Sequence, residues 1–99
     1  MIARHWRGVA HATRAREYER HLRSETFPSL QQIDGFVDAV ILRRAVATGV
    51  EFLIVTRWQS MEAIGQFAGA DPDAAVVPPV VAAMMVEYDR RVTHYEVVT

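Results

Sequence analysis

His94, Tyr95 and Glu96 stand side by side near the end of the chain, in a run (residues 91–99) that alternates like a β-strand. A histidine titrates near neutrality, so His94 can serve as a general base. It would take a phenolic or activated C–H proton, and the resulting carbanion could donate an electron to oxygen. His5, near the other end, has the same capacity. Trp6 and Trp58 could stack on a flat ring, Tyr88 and Tyr95 could donate a hydrogen bond to a substrate oxygen, and Arg4 could hold an anionic group. Phe67 and Tyr18 fall at core spacing on helices, from which they could also line a pocket. Each has a plainer use: a satisfied strand histidine, an Arg4–Glu96 pair, an aromatic in the core or at an interface.

Other chemistries lack their residues. The chain has no Cys, which removes a disulfide framework, thiolate catalysis and Cys-ligated zinc. His11 and His21 read as solvent-exposed. The four His show no H-x-x-x-H spacing, so no metal site is expected. There is no Gly-rich phosphate loop and no G-x-S-x-G elbow. A net charge of −1, with eleven Arg and no Lys, gives no footprint for nucleic acid. No apolar run approaches the ~20 residues that span a bilayer. Met1 leads straight into a strand-like run containing Arg4 and Arg7, unlike a signal peptide. The expectation is a soluble, cytoplasmic protein without nucleic-acid or membrane partners.

The elements that must position these residues follow from periodicity. Residues 2–9 read as a strand. Thr13 is a candidate N-cap for a helix with Ala15, Tyr18 and Leu22 on one face. Pro28 should end that helix near residues 24–26, because helical geometry is disfavoured at Phe27. A short helical piece over 28–33 and a turn at Asp34-Gly35 come next. Residues 36–46 and 50–58 read as a hairpin around Ala47-Thr48-Gly49. Ser60 should cap a helix running to Ala68, with Ile64 and Phe67 inward and Gly69 at its end. Residues 80–86 read as helix and 91–99 as the closing strand. The order β-α-β-β-α-β is a ferredoxin-like α+β fold, one domain over residues 1–99, with an antiparallel sheet in the order 4-1-3-2. Antiparallel pairing of the first and last strands with Ile2 opposite Val98 would set Arg4 against Glu96, Trp6 against His94, and His5 against Tyr95. Both middle strands are apolar at their centres, which predicts burial on both faces. A single 99-residue chain has no second layer to supply that, so a homodimer closed by sheet-to-sheet packing is expected.

The segments Ile2-Ala-Arg-His-Trp-Arg-Gly8, Trp58-Gln-Ser-Met-Glu-Ala-Ile64, Phe67-Ala-Gly69 and His94-Tyr-Glu-Val97 together resemble the antibiotic biosynthesis monooxygenase superfamily of dimeric α+β barrels. The resemblance covers essentially the whole chain. It implies a cofactor-independent monooxygenase acting on a small aromatic, polyketide- or quinol-like metabolite held between sheet and helices. His94 or His5 would be the base, with Arg4, Trp6, Trp58, Phe67, Tyr88 and Tyr95 around the substrate. The same resemblance admits a non-catalytic small-ligand-binding or stress-related dimer, or a cofactor-free cyclase or isomerase. The haem-degrading branch of the superfamily uses an Asn on the first strand and a Trp and a His around the second helical region. Here those places hold His5, Phe67 and a stretch, residues 70–83, without His. No haem or other cofactor is therefore expected.

Overall fold

The computed structural model describes residues Met1–Thr99. Strand β1 (Ile2–Ala10) runs through the middle of a five-stranded antiparallel sheet. Strands β2 (Phe36–Val46) and β3 (Gly49–Trp58) form the expected hairpin, and β3 pairs with β1 along its full length, Ile2 opposite Trp58 and Ala10 opposite Val50. Strands β4 (Met85–Tyr88) and β5 (Thr93–Glu96) share the other edge of β1. The order is β2-β3-β1-β4, the 4-1-3-2 arrangement read in reverse.

The helices cover one face of this sheet. A single-turn 3₁₀ segment (Ala12–Arg14) leads into α1 (Ala15–His21). No side chain caps this start, so Thr13 is not an N-cap; the Arg14 guanidinium instead grips Glu17 and the carbonyl of Ala83. The helix does not stop before Pro28. It widens into a π-turn (Leu22–Thr26), in which the Phe27 N–H reaches back five residues to the Leu22 carbonyl, and continues as α2 (Phe27–Leu30). Proline offers no N–H to the preceding turn. The hydroxyls of Ser24 and Ser29 donate to the carbonyls of Arg20 and Glu25, at 2.7 and 3.0 Å, and so bond part of this wall through side chains. Helix α3 (Met61–Ala68) begins where Ser60 accepts from the Ala63 N–H and ends at Gly69, whose φ of +82° suits glycine.

Two expectations near the C-terminus are corrected. Residues 80–86 are not one helix: α4 (Pro79–Ala82) is a single turn, and the chain is extended again from Met85. The closing strand expected over residues 91–99 is also shorter, β5 covering Thr93–Glu96, and Met85–Tyr88 form an additional strand before it on the same edge. Asp89 still donates its N–H to the Arg7 carbonyl of β1, but residues 90–92 leave that edge and pair instead with the loop after α3, through an Ala74–Arg91 bridge, Ala75 N–H to the Arg90 carbonyl and Val92 N–H to the Asp73 carbonyl. The register of β5 is slipped by two from the expected one, with Arg4 opposite His94 and Ile2 opposite Glu96. A slip of two keeps every side chain on its predicted face.

The core is in two parts. Tyr18, Leu22, Phe52, Val81 and Met84 belong to one cluster; Leu30, Trp58, Ala63 and Ile64 form the other, and Phe27 touches both. The opposite face of the sheet is uncovered within the chain. Val40 and Leu42 there are 45% and 48% exposed, beside Leu53 and Val55, their partners on β3.

Candidate active site

Between the two core clusters runs a polar strip. Arg4 and Thr56, directly opposite each other on β1 and β3, are the two buried polar residues of the chain. An arginine cannot be sealed in hydrocarbon without hydrogen-bond partners, and above this strip the chain leaves a cavity of about 320 Å³. Its wall takes Tyr18, Leu22, Ile54 and Val81 from one cluster and Leu30 from the other, with Trp6 and Phe67 as further aromatic surface. The volume lies at the lower end of the ~300–1,000 Å³ common for small-molecule pockets, a size for a ligand of a few fused rings.

The seat of Arg4 is built by the segment between β4 and β5. The pairing of residues 73–75 with residues 90–92 brings the carbonyls of Pro72 and Ala74 onto the guanidinium, the latter at 2.8 Å. His94 Nε2 lies 3.0 Å from Arg4 Nη1. A guanidinium only donates, so Nε2 is the acceptor and the ring proton sits on Nδ1, which donates to Asp73 at 3.2 Å. Burial first, and then the Arg4 charge, lower the His94 pKa below the usual imidazole range, against the opposing pull of Asp73. His94 is thus a neutral ring clamped between a cation and a carboxylate. Three of the five Arg4 N–H donors are engaged, and Nε–H and one Nη2–H have no partner within the chain. The guanidinium also lies 5.7 Å from the centre of the Phe67 ring.

Trp6 reaches the cavity because Gly8 lets it. Its indole folds back over that glycine so closely that a Cβ there would lie 2.6 Å from the ring, and Nε1 donates to the Asp89 carbonyl at 2.8 Å. Of the residues singled out by sequence, Arg4, Trp6, Tyr18 and Phe67 meet at the cavity. Trp58 is fully buried beneath it, bonded through Nε1 to Thr56 and stacked near Phe67. His94 stands behind Arg4, outside the wall. Tyr88 packs on the far side of Trp6. His5 and Tyr95 touch each other, ring centres 4.8 Å apart, on the sheet face that carries Val55, the partner of His5, turned away from the cavity. His5 therefore does not line the pocket, contrary to one expectation.

Sequence reading missed His21 and Glu25. Both line the cavity from the π-turn region, and His21 is half-buried rather than exposed. The signal was present: they fall three and seven residues after Tyr18, on the inward helical face. The surrounding charge run concealed it.

No protein-family profile matches the sequence, and no curated protein matches it by sequence. Solved structures do match. A candidate antibiotic biosynthesis monooxygenase from Deinococcus radiodurans is similar at 19% identity and TM-score 0.67, over 100% of this chain and 94% of that one. The haem-degrader MhuD from Mycobacterium tuberculosis, with two haems in its active site, is similar at 19% identity and TM-score 0.68, over 100% of this chain and 97% of that one. A candidate antibiotic biosynthesis monooxygenase from Bacillus cereus is similar at 20% identity and TM-score 0.59, over 100% and 93%. The chain has the antibiotic-biosynthesis-monooxygenase fold along its whole length. The aromatic that α3 brings to the cavity is Phe67, His5 points away from it, and the imidazole of His94 is bonded to Arg4 and Asp73.

Proposed function

We propose that the protein is a homodimeric, cofactor-independent oxygenase of a small aromatic metabolite bound in the cavity above Arg4. The observation that carries this reading is a buried cation with uncommitted donors at the floor of a largely apolar, aromatic-walled cavity. Trp6 and Phe67 offer faces to a flat ring system, and Arg4 offers a forked donor to its carbonyl or phenolate oxygen. An oxygen held there gains negative charge when the substrate loses a proton, so the arginine stabilises the ionised form more than the neutral one. The electron-rich anion then reduces dioxygen, and recombination at carbon followed by loss of water converts CH₂ and O₂ to C=O and H₂O. His94 positions Arg4.

The uncovered sheet face supports the dimer. Val40, Leu42, Leu53 and Val55 form its apolar centre, His5 and Tyr95 extend it, and the Arg57–Asp38 and Arg44–Glu51–Arg7 pairs edge it. Sedimentation at micromolar concentration tests it: a stable folded monomer defeats that part. Oxygen uptake with a panel of anthrones and hydroquinones, with and without added haem or flavin, tests the activity. Uptake without cofactor supports the oxygenase. Ligand-induced stabilisation without turnover would replace it with a binding protein, and turnover without oxygen with a cyclase or isomerase.

A further inference from the structure

The cavity has an acid–base group that the closing strand does not supply. Its lining includes four titratable side chains: Arg4, Tyr18, His21 and Glu25. Arg4 stays charged at any working pH. Tyr18 is buried, and burial pushes its phenol far up, so it keeps its proton. His94 and His5 lie outside the wall. His21 is the one imidazole that reaches the ligand space, and it is half-buried at the mouth, where a proton taken from a ligand can leave to water. Glu25 stands one helical turn further on, exposed, on the same inward face. The π-turn that begins at Leu22 lies between them, and such turns recur at functional sites.

We propose that His21 is the base that ionises the substrate, with Glu25 receiving its second ring N–H. This rests on the reading of the cavity as an aromatic-substrate site. The substrate C–H bond breaks, its electron pair stays on the substrate as an enolate, and the proton forms a new N–H bond on His21. The negative charge spreads through the ring to the oxygen held by Arg4. The step needs no oxidant, so it can be observed apart from oxygenation.

The experiment is anaerobic mixing with anthrone. The absorbance of its enolate reports ionisation, and quenching of tryptophan fluorescence reports binding. The wild type should ionise bound anthrone. His21→Ala should bind it as tightly but ionise it ~10²-fold more slowly or worse, and added imidazole should restore the rate, which a structural role would not allow. His21→Gln, which keeps polarity and much of the size, should lose as much. The proposal is overturned if either variant ionises anthrone at the wild-type rate, or if the wild type binds anthrone and leaves it neutral. Ionisation followed by no oxygen uptake on admitting air would sink the oxygenase reading and leave His21 in place. Absence of any binding would sink both.

Discussion

Gly8→Ala should show how tightly the cavity wall is fitted. Gly8 has no left-handed backbone that would bar alanine. What bars it is the Trp6 ring, at 2.6 and 3.1 Å from the would-be Cβ, with the Met85 sulfur at 3.2 Å. The thioether can swing aside, but the indole is rigid and anchored by its bond to the Asp89 carbonyl. Overpacking of this kind costs about 1–3 kcal/mol. For a chain of this length that is a fall in Tm of roughly 5–20 °C. Once the indole is gone the sign should reverse. In a Trp6→Ala background the same substitution should stabilise by roughly 0.4–1 kcal/mol, because alanine loses less backbone freedom than glycine. The coupling between the two positions should thus be at least about 1.4 kcal/mol, within the range seen for touching residues. Denaturant melts of the four proteins, at one concentration because assembly shifts apparent stability, measure it. An equal cost of Gly8→Ala in both backgrounds would refute the account of how Trp6 is placed.

Arg4→Met should weaken binding of a naphthol carrying a carboxylate by roughly 10- to 100-fold, the equivalent of one charge-assisted hydrogen bond; an unchanged affinity in a fluorescence titration would remove Arg4 from the site. Neutral His94 makes stability pH-dependent: its folded pKa is depressed, so its contribution is whole above about pH 6.5, the unfolded value, and is lost as pH falls toward the folded one. His94→Asn should flatten the stability–pH curve in that window, and a wild-type curve no steeper than the variant's would contradict the clamped neutral ring. Trp58→Ala should cost about 3–5 kcal/mol, read as a lower urea midpoint. Haemin titration should give no Soret band saturating at one haem per chain.

Period and turn chemistry made most of the scaffold legible. The Phe36–Val46 strand, the hairpin after it and the Ser60-capped helix stand where local pattern puts them, because each is decided by residues a few positions apart. The misreadings share one physical origin. Pro28 does disfavour helix locally, but the π-turn absorbs it, and the Ser24 and Ser29 hydroxyls that bond beside it are ordinary surface residues until the turn exists. The apolar run through Met84 and Met85 fits a helix or a strand equally; pairing with β1 decides for the strand, and pairing is not a local property.

The site follows the same division. Arg4 stands out in the sequence as a cation on an apolar strand, but its partners do not. Thr56 and His94 face it only through the β1–β3 and β1–β5 registers, and Pro72 and Ala74 reach it only because the segment before β5 pairs with the loop after α3. A continuous strand from β4 through β5 would have put regular ladder bonds along this edge and left the guanidinium without its carbonyl seat. The buried charge would then have to leave the sheet or find a carboxylate, since an unpaired cation in the interior is costly. The interruption between β4 and β5 and the burial of Arg4 are therefore one feature. The cavity lies over the polar strip that this feature creates, where the two apolar clusters do not meet.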